Sequence, residues 1–85
     1  LVMVDLFKRR KIKEARKLLC EQARPEEMDE IFRWMYDNLY LWSKTDEGQD
    51  EAILVIRKGM INHSLAGDPE INLSATIVEL AQIEA

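Results

Sequence analysis

Cysteine, histidine, proline and glycine are all scarce in this chain: one Cys, one His, two Pro and three Gly in 85 residues. The single thiol, Cys20, excludes an intrachain disulfide and a four-cysteine zinc site, and suits a reducing, intracellular compartment. So few helix breakers, among many Leu, Ile, Ala, Glu and Lys, favour an all-helical domain. No apolar run approaches the roughly 20 residues that cross a bilayer, so no membrane partner is expected. The chain opens on Leu1 rather than Met and carries no targeting segment, which suggests a fragment of a longer protein.

The residue patterns of known chemistry are missing as well. Gly48, Gly59 and Gly67 are isolated from one another, so neither GxxxxGK(S/T) nor GxGxxG occurs to cradle phosphates. HExxH and CxxC are absent, and no Ser–His or Cys–His spacing supports a nucleophile. His63 follows Asn62 with no second metal ligand nearby, and reads as a structural or exposed residue. The stretch from Ser43 to Glu51 is acidic, but lacks the alternating ligands and spacing of a calcium loop. It reads as a polar loop whose acids favour the positive end of the next helix. No catalytic, cofactor or metal site is expected within these residues.

Charge, by contrast, is abundant and unevenly divided. Residues 1–24 hold eight Lys/Arg and three Asp/Glu, whereas residues 25–85 hold four and thirteen, within a net charge of −4. The basic residues are Lys8, Arg9, Arg10 and Lys11 in one cluster, then Lys13, Arg16 and Lys17. Such an end suits nucleic acid, or head-to-tail contact with a like subunit; the plainer reading is a solvated helix face.

Apolar spacing predicts five helices. Leu6 and Phe7 lie on one stripe and Ile12, Ala15 and Leu19 on another about 120° away, so helices over about 1–9 and 12–23 should be joined by a basic turn. Pro25 with Glu26 and Glu27 marks the next start, for a helix reaching Leu41. Its core stripe is Met28, Ile31, Phe32, Met35, Leu39 and Trp42, leaving Trp34, Tyr36 and Tyr40 off the stripe as candidates for cover by another chain. A fourth helix over about 50–66 has two seams, Ile53–Ile56–Met60 and Leu54–Ile61–Leu65, implying two neighbours. Gly59 in its interior costs about 1 kcal/mol relative to Ala and implies close approach of another helix. Gly67 reads as a left-handed stop, then Asp68 as cap and Pro69 as first residue of the last helix. That helix is apolar almost all round, including Ile77 and Leu80, and needs neighbours on more than one side. Leu54, Ile61, Leu65, Ile77 and Leu80 join the three aromatics as candidate interface residues.

Three features in this order carry a resemblance: the basic helix Ile12–Leu19, the amphipathic helix Glu26–Leu41, and a hairpin ending Ala66-Gly67-Asp68-Pro69-Glu70-Ile71-Asn72-Leu73. Nearly the whole chain resembles the C-terminal domain of replication factor C small subunits and of T-even-like phage clamp-loader ATPases. It departs from that family at Arg9-Arg10-Lys11, where a Gly-Asp or Asn-like turn is usual, and at Met60-Ile61, where a Tyr or Phe is often found. The resemblance implies a single all-α domain over residues 1–85, a compact five-helix bundle of the clamp-loader collar type. It further implies an oligomerisation domain that is not itself an enzyme, cut from an AAA+ protein. In such a protein this domain holds ATPase modules in a ring at the replication fork, for loading a sliding clamp onto primer–template DNA. ATP and Mg2+ would belong to the missing AAA+ module. Two other readings stand beside it: a basic helical nucleic-acid-binding domain, and a helical adaptor unrelated to replication.

Overall fold

A computed structural model describes residues 2–65 and 67–83, and these are all-helical with no strand. Five α-helices follow one another: α1 (Val2–Lys8), α2 (Ile12–Gln22), α3 (Met28–Asp37), α4 (Asp46–Leu65) and α5 (Pro69–Ala81). Short 3-10 turns occupy Pro25–Glu27 and Leu39–Leu41. The readings that fall on Leu1, Ala66, Glu84 and Ala85 lie outside the described residues.

The break between α1 and α2 comes where the shift of apolar stripe demands it. Arg10 turns the chain with φ of 65°, in the left-handed region that disfavours a Cβ by about 1–2 kcal/mol. The N–H of Lys11 donates to Leu6 O at 2.9 Å, and the Arg10 guanidinium donates to Ala81 O at 2.8 Å, tying the turn to the end of α5. Arg10→Ala should therefore lose about 1 kcal/mol in urea unfolding, because the bond goes and the backbone strain stays. Arg10→Gly should be the more stable of the two variants by about 1 kcal/mol, since it removes the strain along with the bond.

Two boundaries differ from expectation. The third helix does not run to Leu41 but stops at Asp37, because the Asn38 side chain donates to Trp34 O at 2.8 Å and takes the carbonyl of the next helical bond. The fourth helix starts at Asp46, not near 50. The Thr45 hydroxyl accepts from Gly48 N at 3.0 Å, an N-cap that draws Asp46 and Glu47 into the first turn. A Cβ on Gly48 would overlap the Ser43 hydroxyl, so glycine is needed where the loop folds over that turn. At the other end, no glycine among the described residues has positive φ, so the left-handed stop expected at Gly67 is not seen. The cap at Asp68 forms as expected, its carboxylate accepting from Glu70 N at 2.9 Å and Ile71 N at 3.2 Å.

The helices close around a core led by Phe32 and Met35 of α3, Ile56 of α4, and Leu73, Ile77 and Leu80 of α5, with Phe7 and Ala15 from the first two helices. α3 packs on α4, α4 on α5, α5 on α2, and α2 on α1. Gly59 is where three helices meet: an added Cβ would lie 2.7 Å from both Phe32 Cε1 and Thr76 Oγ1. The Asn72 amide donates to Gly59 O at 2.9 Å, and Thr76 Oγ1 donates to Asn72 O at 3.0 Å, so both buried polar side chains are satisfied. His63 lies near the Phe32 ring, with centroids 6.4 Å apart. No helix among the described residues is long and apolar enough to cross a membrane.

Candidate functional site

The two seams expected on α4 do not each meet a neighbour. Both α3 and α5 pack on one face built from small residues, Gly48, Ala52 and Gly59, with Ile56 between them. The opposite face carries Leu54, Ile61 and Leu65, which are 57%, 52% and 80% exposed. With a helical step of about 100°, Lys58 falls on this same stripe. The Lys58 ammonium reaches across to Glu79 Oε2 on α5 at 2.8 Å, and so joins the stripe to a second one on α5.

That second stripe is Ile71, Ala75 and Val78, all exposed, with Ile71 68% accessible. Leu65 and Ile71 line one open dish of about 560 Å³ between the ends of the two helices, together with Ala75 and the polar Asn62. The hairpin α4–α5 thus presents one largely apolar surface, crossed by a single exposed ion pair. An exposed pair of this kind contributes little to stability, about 0–1 kcal/mol.

Several sequence-predicted interface residues are placed elsewhere. Ile77 and Leu80 are 0% exposed inside this copy, so they cannot touch a neighbour; they belong to its core. Trp34 is half-buried and stacks edge-on against Trp42 at 5.9 Å, while Trp42 meets Phe7 at 5.1 Å and donates its indole N–H to Met35 O. Tyr36 and Tyr40 stay exposed, the first beneath the Arg33 guanidinium at 5.4 Å, the second donating to Asn38 Oδ1 at 3.3 Å. Ile71, Val78 and Met60 were missed as exposed apolar residues. The period of α5 could not reveal which of its apolar sides is outward.

A second apolar feature lies on the far side of the bundle, in the gap between α2 and α3. It is a groove of about 530 Å³ lined by Leu18, Leu19 and Ala23 of the α2 segment, Ile31 and Trp34 of α3, and Val2 and Met3 of α1. Glu27 and Glu30 supply its charge.

Lys13 and Lys17 lie exposed one turn apart on α2, and Arg16 is half-buried. Lys8 and Arg10 instead line a pocket at the base of α1, with Arg9 and Lys11 exposed beside them in the chain. Among the described residues no group of three or more His, Cys, Asp or Glu side chains is placed to hold a metal ion. No family model matches this chain, and neither the curated proteins nor the solved structures contain a match to it.

Proposed function

We propose that this chain is an oligomerisation module, the C-terminal collar domain of a sliding-clamp loader subunit. In that role it holds AAA+ ATPase modules in a ring for ATP-dependent loading of a clamp onto primer–template DNA. The observation that carries the assembly reading is the apolar stripe Leu54–Ile61–Leu65 with Ile71–Val78, which no element of this copy covers. Contiguous apolar surface on a small domain favours cover by a partner. The replication setting rests on the resemblance of the hairpin turn and helix order to the collar family, which names the partner as a like or homologous subunit.

The two apolar features differ in shape and lining, which favours a heterologous contact over a two-fold dimer. The α4–α5 surface is an open dish beside an exposed stripe whose Lys58 is already paired with Glu79, whereas the α2–α3 groove is lined by Glu27 and Glu30 with no cation among the described residues. A surface that pairs with a different surface makes a heterologous contact, and repeated heterologous contacts form a ring where the rotation between copies closes and a filament where it does not. Mixing variants tests this. Ile61→Asp blocks the stripe and leaves the groove; Val2→Asp does the reverse, and both positions are exposed enough to accept Asp in the fold. Native mass spectrometry should show oligomers for the wild type, monomers for each variant alone, and dimers but nothing larger for the mixture. A mixture that stays monomeric while the wild type assembles would refute the stripe-to-groove contact.

A further inference from the structure

The base of α1 meets the segment leading into α4 in a pocket of about 350 Å³ that brings together residues far apart in sequence. Lys8 and Arg10 come from the α1–α2 turn, and Lys44 from the loop before α4. No carboxylate lines this pocket among the described residues, and none of the described ion pairs involves these three cations. Lys8 and Arg10 belong to the basic end of the chain, and Lys44 joins them from its acidic remainder. The Arg10 guanidinium is oriented by its bond to Ala81 O, which leaves its other N–H groups to a ligand. The rest of the lining is Phe7, Leu41, Trp42 and Ile83 with the polar Ser43, and Tyr40, which is 63% exposed.

We infer that this pocket binds the phosphates of a single-stranded nucleic acid, with Lys8, Arg10 and Lys44 on the phosphates and Tyr40 as the platform for a base. Cations alone would fit any polyanion. Cations beside an exposed aromatic ring over an apolar floor match a nucleotide unit, whose phosphate and base lie side by side. A concave pocket with one stacking ring suits an unpaired strand, since the bases of a duplex are already stacked on each other. The inference is separate from the assembly reading, because the pocket shares no residue with the α4–α5 stripe.

Fluorescence anisotropy with a labelled oligo(dT) of about 12 nucleotides, titrated across a range of salt, tests it directly. Three phosphate contacts on a single strand give a slope of log affinity against log salt of about −2. Lys44→Glu should weaken binding at least about tenfold, and Tyr40→Ala about tenfold. Lys17→Glu, on the open face of α2, should change it less than about threefold. Circular dichroism on each variant confirms the fold. Equal losses from Lys17→Glu and Lys44→Glu would mean diffuse attraction by the basic end and would overturn the site. Retained affinity in Tyr40→Ala, with full displacement of the oligonucleotide by inorganic tripolyphosphate at matched phosphate concentration, would overturn the nucleic-acid assignment. Absence of any salt-sensitive binding would overturn both.

Discussion

Phe32→Ala should lower the free energy of unfolding by about 3–5 kcal/mol, read as a fall in the urea midpoint at unchanged slope. The Phe32 side chain is fully buried, its ring lies 2.7 Å from where a Cβ on Gly59 would be, and the His63 ring is 6.4 Å away. Two of its neighbours are poorly placed to fill the space it leaves. Gly59 has no side chain to move inward, and Thr76 is held by its bond to Asn72 O. Poor collapse puts a truncation at the upper end of its range. A domain of this length has about 4–13 kcal/mol of stability in all, so the variant should be marginal at room temperature.

Gly59→Ala should also destabilise, by about 2 kcal/mol, although alanine is the better helix former by about 1 kcal/mol. The new methyl would sit 2.7 Å from Phe32 Cε1 and from Thr76 Oγ1, which real contacts do not allow. α3 or α5 must then move outward, and the Asn72 bond to Gly59 O lengthens with it. For a chain of this size the melting temperature should fall by about 10 °C. The two sites share a contact and should couple: Gly59→Ala should cost less in a Phe32→Leu background, where there is room for the methyl. Equal costs in both backgrounds would show that the close approach at Gly59 is not what limits the packing.

The sequence made much of this fold legible, and the reasons are local. Asp68-Pro69 announces α5 because a carboxylate and an imino acid fit the first turn of a helix and few other places. The spacing from Met28 to Trp42 marks one core stripe, and Met28, Phe32, Met35 and Trp42 are buried as that spacing requires. Close approach at Gly59 follows from the cost of a glycine within a long helix. The Asn38 break and the early start of α4 depend on single side chains competing for backbone groups, which periodicity does not register.

The interface was legible only in part, for a reason particular to α4 and α5. A reading weighted by apolar bulk looks for the core among the largest side chains. On α4 the core face holds one bulky residue, Ile56, with the small Gly48, Ala52 and Gly59, and at Gly59 the missing side chain lets three helices approach closely. The bulkier Leu54, Ile61 and Leu65 are left outside. On α5 the polar Asn72 and Thr76 are inside, where they bond to backbone carbonyls, and Ile71 and Val78 are outside. Exposed apolar residues therefore remain on the hairpin, and two of its five candidates change place. Ile77 and Leu80 belong to the core and Ile71 and Val78 to the surface. Lys44 was likewise invisible as a partner of Lys8 and Arg10, since only the fold brings the two segments together.

Methyl NMR of the whole chain across a dilution series tests the cover of that hairpin surface most directly. The methyl signals of Ile61, Leu65 and Ile71 should shift together as the protein is concentrated, while those of Leu73, Ile77 and Leu80 stay fixed. Signals from the hairpin surface that do not move between micromolar and millimolar protein, with a monomer mass throughout, would contradict assembly through this face.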